Sequence, residues 1–327
     1  MRRREFITGI AGAAAAWPLA ARGQPLAMPV IGFISGSSAA QRSRYVDAFR
    51  EGLRETGFVE GENAKIEYRW ADGENDRLPT LARELVTRKV AVIAATGTPA
   101  ALAAKEATRT TPIVFETGAN PIKLGLVDSL NRPGGNVTGV TQANQETGPK
   151  RLQLLHELIP TAKVIGLLLN PTDPPLAEAD ASAVRAAAQT LGLELHVLNA
   201  STDRDFDAIF AKLIQLRADG LVIGGEQLFT NHVEQLAALT VRHAVPAAYQ
   251  WRGFAAAGGL LSYGSDLTDA YRVAGVYTGR ILKGAKPADL PVQQASKVEL
   301  YINLNTARAL GITVPIPVLG RADEVIE

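Results

Sequence analysis

The feature that most restricts this chain is a strand–helix alternation that runs once, stops at a turn, and starts again. Residues 30–34 form a continuous apolar run of strand length, and Val46, Phe49 and Leu53 follow at helical spacing. Residues 64–68 read as the next strand, and Leu78, Leu81, Ala82 and Leu85 mark one helix face. Residues 90–95, a helix from Pro99 to about Thr108, and residues 113–115 continue the series. Apolar strands separated by amphipathic helices predict a parallel sheet covered on both faces, an α/β fold. Arg132-Pro133-Gly134-Gly135-Asn136 makes a turn, and residues 137–140 supply one more strand.

The pattern then repeats. Leu152, Leu155, Leu158 and Ile159 give a helix that stops at Pro160, and residues 164–169 match the strand at 30–34. A helix over 177–191 ends at Gly192, a residue suited to the left-handed stop. A strand over 194–198 follows, then a helix capped by Asp203 with Phe206, Ile209, Phe210 and Leu213 on its core face. Strands at 221–223 and 245–248, with a helix near 233–241 between them, complete a second sheet. The tail (a strand at 259–262, a helix carrying Leu267, Tyr271, Ala274 and Ile281, a strand at 297–302, a short helix near 305–310) is too little to fold alone. It is expected to be shared between two Rossmann-like lobes. The expected division is 28–143 plus 262–296 for the first lobe and 148–258 plus 303–327 for the second. A three-segment hinge falls near 144–148, 258–262 and 297–302.

The first residues stand apart from this pattern. Arg2, Arg3 and Arg4 precede an Ala-rich run, and Ala21-Arg22-Gly23 offers small residues for a signal peptidase, so residues 1–23 read as a cleaved signal peptide. Arg3-Arg4-Glu5-Phe6-Ile7 resembles the twin-arginine export motif, and an ordinary Sec signal rich in arginine reads the same residues. Cleavage removes four of 34 basic and one of 33 acidic residues, leaving the mature chain near −2. No basic surface for nucleic acid is implied. The chain has no cysteine, which excludes a lipidated N-terminal Cys, disulfides and thiolate chemistry. The mature protein is therefore expected in the periplasm, with no lipid anchor and no insertion in the membrane.

Candidate ligand residues come from the rule that open parallel sheets bind ligands beyond the carboxyl ends of their strands. In the first unit those loops carry Ser35 and Ser37, then Thr96, Gly97 and Thr98, then Thr117, Gly118 and Asn120. Small, hydroxylated, Gly-bearing loops at helix starts can hold an anion such as a carboxylate, although Ser and Thr also serve as plain helix caps. In the second unit the loops carry Asn170, Glu226 and Tyr249, with Tyr263 and Asp266 after the returning strand. These offer carboxylates for an ammonium group and aromatic faces for packing; Asp266 could equally cap the helix that follows it.

Enzyme signatures are missing from the sequence. The four histidines are scattered without zinc-ligand spacing, and there is no Gly-x-Ser-x-Gly elbow, phosphate loop or dinucleotide fingerprint. The reading is a non-enzymatic protein with no cofactor and no metal.

Specific segments then resemble a known family. They include Gly32-Phe33-Ile34-Ser35, Thr56-Gly57-Phe58-Val59-Glu60-Gly61-Glu62-Asn63, Ile66-Glu67-Tyr68-Arg69-Trp70-Ala71, Ala94-Ala95-Thr96-Gly97-Thr98-Pro99, and Leu130-Asn131-Arg132-Pro133-Gly134-Gly135-Asn136-Val137-Thr138-Gly139. The C-terminal run from Gly279 through Lys283-Gly284-Ala285-Lys286-Pro287 to Gln293 adds to them. The chain resembles the ABC-transporter substrate-binding proteins, the family that includes tryptophan- and tyrosine-binding members. That resemblance implies the type 1 periplasmic binding protein fold, with a small ligand buried between two lobes that three segments join. It implies a monomer that captures an amino acid or related carboxylate, aromatic ones included, and delivers it to an inner-membrane permease. The alternatives are a ligand sensor for a signalling receptor and an enzyme on the same fold.

Overall fold

A computed structural model describes residues 28–142, 144–295 and 298–327. The leader expected over residues 1–23, and Lys297, where the third connection was expected, lie outside the described residues.

Two sheets organise the chain. The first holds β1 (Val30–Ser35), β2 (Lys65–Trp70), β3 (Val92–Thr96), β4 (Ile113–Thr117), β5 (Val137–Thr141) and the short β11 (Gln293–Gln294), in the order β11-β5-β4-β3-β1-β2. All its pairings are parallel. The second holds β6 (Val164–Leu169), β7 (Glu194–Asn199), β8 (Gly220–Ile223), β9 (Ala247–Tyr249), β10 (Leu261–Ser265), β12 (Val298–Asn303) and β13 (Glu324–Ile326), in the order β13-β12-β10-β9-β8-β6-β7. The β10–β12 pair alone is antiparallel among the described strands. Strand orders β2-β1-β3-β4-β5 and β7-β6-β8-β9-β10 are the same doubly wound arrangement used twice. Each reverses direction beside its first strand, which is where such sheets open a crevice.

The helices cover both faces as the apolar alternation requires. On the first sheet, α1 (Ala39–Glu55) and α10 (Leu267–Leu282) share one face, and α2 (Leu78–Thr87) and α3 (Thr98–Ala107) the other. On the second, α4 (Asn144–Leu158) and α5 (Pro174–Leu191) oppose α6 (Phe206–Gln215) and α8 (Val233–Arg242). The short helices α7 (Gln227–Asn231), α9 (Arg252–Ala256), α11 (Leu304–Ala309) and α12 (Ile316–Leu319) fill the remaining connections. Neighbouring strand residues divide between faces: Leu168 joins the core under α6, and Leu167 and Leu169 join the core under α4 and α5. One apolar cluster runs through both lobes, linking Phe33 and Tyr45 to Tyr249 and Trp251. The α1–α10 crossing is tight because glycines line it. A Cβ added at Gly52 would stand 1.9 Å from the Arg272 carbonyl oxygen, and one at Gly275 2.1 Å from that of Phe49.

Two boundaries and one cap differ from the sequence expectation. The returning strand is Leu261–Ser265 rather than 259–262, and it pairs with both β9 and β12 in the second sheet. The chain therefore passes to the first lobe after Ser265, not at 258–262. The polar, turn-like Tyr263-Gly264-Ser265 stays extended because each residue has a partner on β12. Likewise β11 ends in the first sheet at Gln294 and β12 begins in the second at Val298, so the last passage falls between those two residues and not within 298–302. The third concerns Asp203, which does not cap α6. Asp205 accepts from the Ser201 and Thr202 backbone N–H groups and anchors the single 3-10 turn that leads into the helix.

Candidate functional site

The carboxyl ends of the two sheets face each other across a cleft. From the first lobe, Ser35 and Ser37 leave β1 fully buried. Both bond to the other lobe: Gln227 Nε2 donates to Ser35 Oγ at 3.2 Å, and Ser37 Oγ donates to Asn231 Oδ1 at 2.8 Å. Gln227 and Asn231 bracket α7, which enters the cleft from the three-residue loop Gly224-Gly225-Glu226 that follows β8. The Gln227 amide lies against Gly36 and Gly97; a Cβ at Gly36 would stand 2.6 Å from its Oε1 and one at Gly97 3.1 Å. Gly97 has φ of 90°, so that the chain leaving β3 turns sharply into α3.

Gln227 divides the cleft into two spaces. Outside it is a polar mouth of about 440 Å³, bounded by Asp72 and Asn75 on one lobe and Asn170, Asp203 and His232 on the other. Inside is a chamber of about 30 Å³. The first lobe lines it with Arg42, Gly97, Thr98, Glu116, Gly118 and Gln142. The second lobe and the start of α10 add Asp173, Leu176, Thr230, Trp251 and Leu267. The mouth is larger, but the buried charge is in the chamber, and charge is what orients a small ligand.

Electrostatics in the chamber follow from burial. Glu116, 5% exposed, takes a hydrogen bond from Gln142 Nε2. Burial pushes its carboxyl up to about 7, against the pull of Arg42 and a backbone N–H. Burial also pushes Asp173 up to about 7, with Asp180 adding repulsion and the Leu176 N–H opposing. Behind Asp173 the second lobe buries Arg151, Asp180 and Glu226 together. Burial raises both carboxyls there; Arg151 offsets the effect at Asp180, and Asp180 adds to it at Glu226. Burial depresses the Arg151 guanidinium, and Asp180 is first among the groups that oppose this.

The residues expected from sequence divide sharply. Gly97, Thr98 and Gly118 line the chamber. Thr98 and Thr117 join hydroxyls at 2.8 Å, and the Thr117 hydroxyl also accepts from the Ala119 N–H. Thr96 turns into its own lobe, donating to the Ile34 carbonyl at 3.4 Å beside the Tyr271 hydroxyl. Asn120 caps a turn, accepting from the Ile122 and Lys123 N–H groups. Asn170 accepts from the Thr172 N–H and borders the mouth. Glu226 is fully buried and accepts from the Asn170 N–H, tying the ends of β6 and β8 together below the chamber. Tyr249, also buried, bonds Thr230 at 2.9 Å and so positions a chamber residue without lining the chamber. Tyr263 packs against the second-lobe core and lines neither the chamber nor the mouth. Asp266 caps α10 by accepting from the Thr268 N–H at 2.8 Å.

Arg42, Gln142, Asp173, Gln227, Thr230 and Asn231 also line the cleft, and none of them was expected from sequence. Gln142 directly follows β5, and Asp173 and Gln227 lie about one helical turn past the ends of β6 and β8, whereas Arg42, Thr230 and Asn231 lie about two turns past a strand end, beyond the loops that topology singles out.

Comparison with known proteins gives a consistent result. Residues 28–326 match the family described as ABC transporter substrate binding protein, a family of binding proteins rather than catalysts. The chain is 28% identical over 262 residues to a tyrosine-binding protein of Clostridioides difficile (strain R20291), spanning 80% of this chain and 75% of that one. The structure of an ABC domain in complex with L-Trp from Streptococcus pneumoniae superposes with a TM-score of 0.82 at 26% identity, covering 91% of this chain and 99% of that one. A conserved domain protein from Vibrio cholerae matches with the same TM-score, identity and coverage. The two-lobed architecture is that of the type 1 periplasmic binding proteins. Among the described residues no helix is long and apolar enough to cross a membrane.

Proposed function

The chain belongs to the family of ABC transporter substrate-binding proteins, and from that premise we propose that it captures an aromatic amino acid, or a close carboxylate relative, between its lobes and presents the closed complex to a membrane permease. The observation that carries this reading is the buried, charged chamber at the meeting of two doubly wound sheets, closed by direct bonds from α7 to Ser35 and Ser37. A volume of about 30 Å³ holds roughly one water, so a ligand of amino-acid size enters and leaves by parting the lobes. Parting and closing is the motion the three inter-lobe passages permit. The tyrosine-binding relative and the tryptophan-bound structure support the aromatic amino-acid class. The basic, Ala-rich segment ahead of residue 28, where the family match begins, supports export to the periplasm.

The test is a thermal-shift screen of the mature chain with amino acids, purines, aromatic acids and sugars. A ligand at 100 times its Kd stabilises the folded state by about 2.7 kcal/mol. L-tryptophan or L-tyrosine is expected to raise the melting temperature. A response confined to sugars or metal ions rejects the reading.

A further inference from the structure

The chamber brings two oppositely charged side chains together from opposite lobes, and the bonding of each is incomplete. Arg42, in the first turn of α1, is 3% exposed. Its Nε donates to Ser37 Oγ at 3.0 Å, and no carboxylate among the described residues forms an ion pair with it. Glu116 is its nearest chemical counterpart in the chamber, yet that carboxyl is held by Gln142. Across the cleft, Asp173 precedes α5 and is 5% exposed, and its Oδ1 has no hydrogen-bond partner. Asp173 borders both the chamber and the mouth. The Arg42 guanidinium also lies over the Tyr45 ring, 5.3 Å from its centroid, which leaves its fork without a hydrogen-bonded anion, while a buried carboxylate oxygen without a partner is costly unless something else completes it. Between them the chamber wall is apolar, formed by Leu176, Trp251 and Leu267.

A ligand that satisfies this arrangement carries an anion at one end of a short polar group, a cation at the other, and an apolar remainder. Taking the cleft as the ligand site argued above, we propose that Arg42 anchors the carboxylate of an α-amino acid and Asp173 its ammonium group, so that the two lobes each read one charge of a single zwitterion. The planar guanidinium suits a carboxylate because it can donate two parallel bonds. Gly97, Thr98 and Gly118 beside it supply backbone approach and the start of α3, which favour the same negative charge. Asp173 can accept from an ammonium group through its free Oδ1. The division also couples recognition to closure. Ser37, which holds the Arg42 Nε, is the residue that bonds Asn231 of the second lobe.

The experiment is calorimetric titration of the mature chain with three probes that differ by one charged group. They are L-tryptophan, tryptamine, which lacks the carboxylate, and indole-3-propionic acid, which lacks the ammonium group. The unmodified protein is expected to bind L-tryptophan at least about tenfold more tightly than either analogue, since each lost charged hydrogen bond is worth roughly 10- to 150-fold. Arg42→Gln is expected to cost about that factor for L-tryptophan while leaving tryptamine within about twofold. Asp173→Asn is expected to show the reverse selectivity, hurting L-tryptophan and sparing indole-3-propionic acid. A purely structural role would weaken all probes alike, and that result overturns the proposal, as does unmodified protein that binds tryptamine as tightly as tryptophan. Should Arg42→Gln fail to fold, Arg42→Lys keeps the charge without the fork and is expected to show the same selectivity at smaller amplitude. Protein that binds neither L-tryptophan nor L-tyrosine rejects the aromatic amino-acid reading itself, whereas binding without the charge-selective losses rejects only this assignment.

Discussion

Replacing Glu116 by Gln tests the electrostatics of the chamber through stability alone, with no ligand needed. The carboxyl is buried at the end of β4, accepts from Gln142 Nε2, and is pushed from 4.5 to about 7 by that burial. In the unfolded chain it ionises near 4.5; in the folded chain it keeps its proton until about 7. Across that window the folded state holds more protons, so stability falls as pH rises, and the loss is complete above about pH 7. A shift of about 2.5 units at 1.36 kcal/mol each is roughly 3 kcal/mol. Glutamine is close in shape, cannot ionise, and its amide oxygen can still accept from Gln142. Glu116→Gln is therefore expected to match the parent protein near pH 4.5 and exceed it by about 2–4 kcal/mol at pH 8.5, a gain of roughly 5–10 °C in Tm. Asp173 titrates in the same range but is present in both proteins, so the pH dependence of the difference isolates Glu116. Thermal melts of both at pH 4.5 and 8.5 make the measurement. A difference that stays constant with pH, or a variant less stable at pH 8.5, refutes the argument.

Other perturbations probe other parts of the account. Gln227→Ala removes one inter-lobe hydrogen bond worth about 0.5–1.5 kcal/mol, so lobe opening followed by single-molecule fluorescence transfer should quicken about 2- to 12-fold; an unchanged rate means that the contact does not hold the cleft. Gly52→Ala drives a methyl group into the Arg272 carbonyl and should destabilise the protein by about 3 kcal/mol or more in urea, whereas a neutral result would mean that α1 and α10 can separate freely. Thr96→Val should lower the ligand-free melting temperature slightly and leave L-tryptophan affinity within about twofold, because its hydroxyl serves Ile34 inside the lobe. A large loss of affinity would return Thr96 to the site.

The sheets were legible in the sequence because buried parallel strands are nearly all apolar, as in Val30–Ser35 and Val164–Leu169. The strand Leu261–Ser265 was cut short because its last residues are polar and include glycine; only the antiparallel partner β12 keeps them extended. The cleft's location was legible from topology, since open sheets leave a crevice at the carboxyl ends of strands. Which side chains point into it was not. Asp266, Asn120 and Glu226 have the right chemistry in the right loops, but each commits a side-chain oxygen to nearby backbone N–H groups, and Glu226 is in addition fully buried. Arg42 and Asp173 sit at helix starts, where sequence suggests surface charge, yet both are buried and line the chamber where the two lobes meet.

The central claim, that the closing cleft holds an amino acid between its lobes, is tested most directly by calorimetric titration of L-tryptophan and L-tyrosine into the mature protein. The account predicts saturable binding of at least one of them with a stoichiometry of one per chain, and a negative heat-capacity change as Trp251, Leu176 and Leu267 close on its apolar part. Absence of binding by both, with sugars or other classes saturating the same protein instead, contradicts it.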